Sequence, residues 1–501
     1  MALDLTPSKG VFPTRRIIVV CALIIMLSEI ATFEILMVYP AMPAIATHFG
    51  TANVAAVVSS VSLAGAVVLP VAGKVADRYG KKRAILVLGG LFILGGIICA
   101  TTDVYALLIL GRILQGGLVG VVSISYALVR DVIPRRYVPI ALGSLATGVG
   151  MGAVVGPFAA GWLIDAFGFR SVFWFMIIYV GVLLPLNAWL VPESAVRTKS
   201  SMDLPGAALF GISLTVIIYV IGEGSGWGWT SGTTLGLLGL GVALLVAFAI
   251  RELRVSEPLV DIRVLTGAPF VCTVLAFGLI SYMMTAHSYM NPILLRAEQV
   301  PGNTYGSGLS ALELAVWTAP MGLMGMIMGP LGGYLAKRVG ARRVLMTSGV
   351  LYVGVMLVAS TLLTVQWQVG LLSCAAGCAV GFLHSSNSNL VQDALPERLG
   401  GAGNSVAGMI GMLAAGLSVT ITGEIMAAHV RETPSGSPSA VFGDAAYSQA
   451  YVVAAIVGVV GLLIALRMKH GREPARGGLV EDGATEAARD GSDVPVKGSA
   501  V

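Results

Sequence analysis

The chain has 501 residues, of which 56% are hydrophobic and only 11% are Asp, Glu, Lys or Arg. Soluble domains carry about a quarter charged residues, so a water-facing enzyme or binding domain of this length is excluded. The net charge of +5 falls in loops between long apolar runs, which reads as membrane topology rather than as a nucleic-acid footprint.

A hydrocarbon core of about 30 Å takes about 20 apolar residues of helix. Fourteen such runs are predicted, at 17–40, 53–73, 84–101, 104–127, 138–163, 170–190, 204–222, 232–250, 269–293, 308–334, 344–364, 367–391, 401–427 and 447–467. The fold class is an all-α polytopic membrane protein. No cleavable leader is expected, because the first run is too long and has no small-residue cleavage site beyond it. With the amino terminus inside, lysines and arginines gather in alternate loops, chiefly Lys74–Arg83, Arg130–Arg136, Arg251–Arg263 and Lys337–Arg343. Only Arg170, Arg296 and Arg431 fall on the other side, and Arg112 alone lies within a span. This asymmetry places both termini in the cytoplasm of a cell (inner or plasma) membrane protein. The charged, Gly-rich tail at 471–501 is expected to be a disordered cytoplasmic segment.

The first span carries two acids, Glu29 and Glu34, where one acid costs about 3 kcal/mol on insertion scales. Five residues turn a helix by about 500°, leaving the two carboxylates about 140° apart around the axis. At 1.5 Å per residue Glu34 lies about 9 Å and Glu29 about 16 Å below the outer edge, with Arg112 at about 12 Å between them. One glutamate is expected to neutralise Arg112 while the other carries an exchangeable proton; the spacing does not say which. Tyr39, Gln115, His287, Glu313 and Asn387 are candidate cavity residues. His287, Glu313 and Glu424 are placed towards the outer ends of their helices, where a solvated mouth accounts for them. His384, Asn387 and Asn389 suit helix-to-helix hydrogen bonding. The five cysteines all fall in apolar runs without zinc spacing, and no phosphate loop or nucleophile elbow occurs, so no metal and no cofactor beyond the proton gradient is expected.

Gly73-Lys-Val-Ala-Asp-Arg-Tyr-Gly-Lys-Lys-Arg83 recurs as Gly333-Tyr-Leu-Ala-Lys-Arg-Val-Gly-Ala-Arg-Arg343, each copy after a Pro-containing helix (Pro70, Pro330). The chain therefore reads as two related halves: a cytoplasmic N-terminus 1–16, a six-helix bundle 17–190, a linker with two extra spans 191–267, and a second six-helix bundle 268–470. Parallel halves with a midplane site between them are a transporter design.

The first copy, with Gly73, Asp77, Arg78, Gly80 and Lys81, resembles motif A of the major facilitator superfamily. Leu110-Gly-Arg112-Ile-Leu-Gln115-Gly-Gly117 resembles its motif B. Gly152-Ala-Val-Val-Gly156-Pro157-Phe-Ala-Ala-Gly161 resembles its motif C, with Ala160 where Gly is usual. Asp203-Leu-Pro-Gly206, Gly226-Trp-Gly-Trp229 and Glu257-Pro-Leu-Val-Asp261, with fourteen spans, resemble the fourteen-span drug:proton antiporters. That family has Asp nine residues before a Pro in its first span; here Glu34 stands nine residues before Pro43.

The resemblance implies a major facilitator fold of two six-helix bundles plus two extra central helices. It implies a non-enzymatic, monomeric exporter of small amphipathic or lipophilic compounds, driven by inward proton flow and alternating access. Its partners would be small molecules, protons and the lipid bilayer, with no nucleic acid. It also implies that Glu34 is the family's acid, with Glu29 a deeper substrate- or proton-binding group. Asp77 and Lys81 would latch to Arg130 and Asp131 after the fourth span. The glycine stripe Gly148, Gly152, Gly156, followed by Pro157, suits a close-packed, bendable helix where the halves meet. The competing expectation on the same fold is a substrate-specific proton symporter for uptake of a small metabolite.

Overall fold

The computed structural model describes residues 14–51, 54–134, 137–197, 203–255, 258, 267–300, 303–362, 365–395, 400–431 and 441–472. The first 13 residues, Arg135, Arg136, Lys199, Glu257, Asp261, Arg263, Arg398 and the tail beyond 472 lie outside the described residues.

The first half comprises α1 (Thr14–Val38), a 3-10 turn at Tyr39–Ala41, α2 (Met42–Phe49), α3 (Ala55–Tyr79), α4 (Lys81–Thr101), α5 (Tyr105–Gly116), α6 (Val119–Val132), α7 (Val138–Phe167) and α8 (Arg170–Leu190). Pro40 and Pro43 break the first span into helix, turn and helix, because proline removes a backbone donor and crowds the preceding turn. The fourth span breaks at Gly116. A Cβ there would stand 2.5 Å from the Ala64 Cβ and 2.6 Å from the Val61 carbonyl, so only glycine lets α5 lie this close to α3.

The second half repeats the pattern with α11 (Ala268–Arg296), α12 (Ala311–Val339), α13 (Ala341–Ala359), α14 (Gln366–Ala394), α15 (Gly400–Ala427) and α16 (Asp444–Arg467). A two-residue antiparallel pair, β1 (Val430–Arg431) with β2 (Val441–Phe442), joins α15 to α16. Among the described residues thirteen helical segments are long and apolar enough to cross a membrane. The 30-residue α7, with its apolar Gly152–Phe167 stretch, supplies the remaining span of the series. The protein is a multi-pass membrane protein whose spans are all helical. Its fourth and fifth spans run about four or five residues longer than the hydropathy limits, to Val132 and Phe167.

Two seams join the halves, α3 against α15 and α7 against α12. The extra helices α9 (Leu204–Trp227) and α10 (Gly232–Arg254) pack on each other, and α9 lies along the α3–α15 seam. There Phe210, Leu214 and Phe248 are buried with Ala66 and Leu69 of α3 and Val406 and Ala407 of α15. Asp203 caps α9 by accepting from the Gly206 N–H at 3.0 Å, and Arg251 donates to the same carboxylate at 2.7 Å. The pair is thus a wall on one seam as well as a linker.

Candidate functional site

α1 places both acids inside the first half: Glu29 is 7% and Glu34 2% exposed. Arg112 arrives from α5 with 1% exposure, and its Nη2 stands 2.5 Å from Glu34 Oε1. The guanidinium is otherwise committed. Nη1 donates to Gln115 Oε1 at 2.8 Å, Nε donates to the Val57 carbonyl at 2.9 Å, and its carbon lies 5.9 Å from the centre of the Phe173 ring. A buried arginine needs this degree of satisfaction, since its desolvation is offset only by a partner charge plus hydrogen bonds.

Glu29 differs. Among the described residues both carboxylate oxygens lack a hydrogen-bond partner, and no cation is close enough to influence it. The two acids therefore do not share Arg112: Glu34 holds it alone. The cause is helical rotation, because Glu34 faces α5 while Glu29 turns towards α7. A Cβ on Gly152 would lie 2.8 Å from Glu29 Oε2, so this glycine makes room for the carboxylate. Tyr126 of α6 and Tyr179 of α8 are near enough to feel its charge. Phe33, Phe175 and Tyr179 form an aromatic group beside it, with ring centres 5.5–6.0 Å apart. Uncompensated charge in such a place costs several kcal/mol. The arrangement thus holds one ion pair and, among the described residues, one buried carboxylate without a partner.

Of the other cavity candidates, Gln115 is fully buried and orients Arg112 rather than lining open space. Tyr39, 5% exposed, sits within electrostatic reach of both Glu34 and Arg112. Glu313 is exposed and closes a capping box with Ser310 at the start of α12, so it is a helix cap and not a cavity group. His287 is 2% exposed inside the second half, between Tyr352 and Tyr451, and not at a solvated mouth. Asn387 is half-buried with an unpartnered Oδ1, and Asn389 bonds to Ser385 on its own helix rather than to a neighbour.

At the end carrying the basic loops, Lys81 is 4% exposed and bridges Asp77 at 3.1 Å and Asp131 at 2.9 Å. All three belong to the first half. Arg130 is exposed and forms no ion pair among the described residues, and Arg78 stacks on Tyr79. Gly73 has open space around it, whereas Gly80 has φ +122° and lies under Glu193. Glu193, which sequence reasoning missed, accepts from the Lys82 and Arg83 N–H groups at 3.0 and 3.2 Å and so caps α4. Its neighbour Ser194 donates to Asp131. In the second copy the corresponding helix start is capped by backbone: the Arg342 N–H donates to the Gly471 carbonyl at 2.9 Å.

The motif C helix α7 contacts both α1 and α12. Gly152 and Gly156 pack on Glu29 and Phe33 of α1, inside the first half, while Gly161 abuts the Ala311 and Leu312 backbone of α12. The stripe thus serves α1, and Gly161 serves the meeting of the halves. Gly148 lies on the same helix in a stretch whose side chains are outside the described residues, and Pro157 lies inside α7. Polar contacts between the halves lie at the end opposite the basic loops. Asp165 accepts from the Ala311 and Leu312 N–H groups at 3.0 and 2.8 Å, and Arg296 donates to the Pro40 carbonyl. Neither was visible beforehand, since the partners are 146 or more residues apart in sequence.

A family model described as Major Facilitator Superfamily matches residues 18–419. An uncharacterized MFS-type transporter of Mycobacterium tuberculosis (strain ATCC 25618 / H37Rv) is 31% identical over 344 residues, covering 67% of this chain and 48% of the relative. The Multidrug resistance protein Stp of Mycobacterium tuberculosis (strain CDC 1551 / Oshkosh) is 30% identical over 313 residues, 62% of this chain and 57% of that one. The chain thus spans about half the length of these two relatives. In fold it is similar to the crystal structure of an auto inhibited POT family peptide transporter, with TM-score 0.62, 13% identity and coverage of 90% and 97% of the two chains.

Proposed function

Because the chain belongs to the Major Facilitator Superfamily, and so is a transporter rather than an enzyme, we propose that it exports small amphipathic or lipophilic compounds in exchange for protons. The observation that carries this reading is Glu29. A buried carboxylate without a partner, beside a Glu34–Arg112 pair that is complete without it, suits a group that binds a proton and a cargo in turn. The aromatic group formed by Phe33, Phe175 and Tyr179 offers the apolar contact an amphipathic compound needs. Stp, a relative at 30% identity, is named a multidrug resistance protein, which supports the efflux direction.

On this reading the basic-loop end faces the cytoplasm and the contacts of Asp165 and Arg296 close the outer end. Gly161 of α7 gives the halves the close contact about which they rock. A membrane potential of 100 mV supplies about 2.3 kcal/mol per net charge moved, enough for more than about tenfold accumulation when a proton is exchanged for an uncharged cargo. One-for-one exchange with a monovalent cation draws on the pH difference alone. The purified chain in proteoliposomes, loaded with a pH-sensitive dye, tests it. A lipophilic cation such as ethidium should be expelled only when a proton gradient is imposed, with proton movement in the opposite direction. Glu29→Gln should abolish both movements while the protein still inserts; if the variant still exchanges cargo for protons, the role given to Glu29 is wrong.

A further inference from the structure

The second half holds a polar cluster that the Glu29 site does not use. His287 on α11 is 2% exposed, and among the described residues neither ring nitrogen has a hydrogen-bond partner. Its ring centre lies 6.3 Å from those of Tyr352 on α13 and Tyr451 on α16, and the Tyr352 hydroxyl also lacks a partner. Buried polar atoms are almost always paired, with protein or with ordered water. Against His287 and Tyr451 lies a cavity of about 10 Å³, space for about one water.

Asn291, Leu294, Ala359 and Val369 line the same cavity. Since α11 ends at Arg296, α13 ends at Ala359 and α14 starts at Gln366, these residues lead from His287 towards the end opposite the basic loops. Among the described residues no carboxylate or cation is close enough to influence the ring. Its titratable neighbours are Tyr352 and Tyr451, while α14 presents Val369 and Leu372. Tyr39 connects this cluster with the first half, lying within electrostatic reach of Glu34 and Arg112 on one side and of Tyr352 on the other.

We propose that His287 is a second proton-binding site, hydrated through this cavity from the end opposite the basic loops, whose protonation favours the arrangement in which that end opens. The proposal rests on the exchange reading given above. An imidazolium donates from both nitrogens. In the closed arrangement, among the described residues, neither nitrogen has a protein acceptor, no carboxylate faces the ring, and the adjoining cavity has space for about one water. Opening admits more water, which supplies acceptors to both nitrogens. A proton therefore binds the open arrangement better, and a ligand shifts a conformational equilibrium by its differential affinity. The step is a proton transfer alone: a ring nitrogen lone pair takes a proton from hydronium, and the same N–H bond breaks when the proton returns to water.

The test uses the full chain in lipid nanodiscs with ¹⁵N-labelled histidine, His287→Gln assigning the His287 resonances. As the pH is lowered from about 8 to about 5, across the ordinary histidine range, those resonances should move from neutral to protonated positions, and a spin-label pair spanning the opposite end should open over the same interval. In proteoliposomes His287→Gln should flatten the dependence of export on the pH at that end, which a single required proton makes as steep as about tenfold per unit. Resonances that stay neutral throughout, or an unchanged pH profile in His287→Gln, overturn the proposal. If export by the unsubstituted protein moves no protons, the exchange reading fails whatever His287 does. If protons move while His287 stays silent, the second site alone fails.

Discussion

The carboxylate of Asp165, at the last turn of α7, caps the first turn of α12 across the boundary between the halves, accepting from Ala311 at 3.0 Å and Leu312 at 2.8 Å. A cap of this kind is worth about 1 kcal/mol, with a further fraction from the charge at a helix start. Asp165→Ala should therefore shift the closed–open equilibrium of this end by about five- to tenfold towards open. Electron–electron distances between labels on the loops at 50 and 304 would lengthen in the variant population. An unchanged distance distribution would show that the cap does not bias the closure.

The Glu34–Arg112 pair and the lone Glu29 should separate stability from transport. Removing one member of a buried pair strands the other, at a cost of about 3–5 kcal/mol. Arg112→Ala or Glu34→Ala should lower the melting temperature and the monodisperse yield in detergent, and Arg112→Met with Glu34→Met together should recover part of the loss. Glu29→Gln should melt like the parent protein, because no partner is stranded. The melting curves of the four variants, followed by size exclusion on heating, decide this.

Gly80 is required by both backbone and space. Its φ of +122° lies outside what side-chain-bearing residues adopt, and a Cβ would meet Glu193 Oε2 at 2.6 Å. Gly80→Ala should cost about 1–3 kcal/mol, and Glu193→Ala about 1 kcal/mol through the lost cap on α4. The double variant should cost less than the sum, since both act on one contact. Urea titration in mixed micelles would measure the difference.

His470 offers a pH effect at the basic-loop end, outside the spans. Burial, then the nearby Arg342, pushes its imidazole below the usual value of 6.5. Its Nε2 is 2.7 Å from Thr273 Oγ1, and the adjacent Gly471 carbonyl accepts from the Arg342 N–H. A depressed histidine means that the released segment binds protons more readily than the docked one. Docking is therefore at full strength above about pH 6.5 and weakens as pH falls below that value. The protection of the amides at 468–472, measured as the slowing of their exchange relative to the unstructured chain at the same pH, should fall in mild acid, and His470→Asn should remove that fall.

Much of the architecture was readable because it depends on local composition. Each span announces itself by about 20 apolar residues, and Arg112 stands out because no other cation occupies a span. The assignment of Arg112 to Glu34 was not readable. Depth put the arginine between the two acids, and the choice turned on which way α1 is rotated against α5, a tertiary quantity. The cap formed by Glu193 on α4 joins residues 110 or more apart, as Asp165 and Arg296 join still more distant ones. Glu313 is different: Ser310 followed three residues later by Glu is a capping signature that sequence alone contains. His287 was misplaced because distance from a helix end says nothing about whether a neighbouring bundle covers that face.

The α9–α10 wall makes the molecule lopsided. Of the two vertical slits between the halves, the one at α3 and α15 is shielded by a helix pair, while Val155, Trp162, Leu323 and Ile327 beside the other are exposed on the molecule's flank. One seam is thus covered by protein and the other faces outward, which gives the molecule a front and a back within the plane of the membrane.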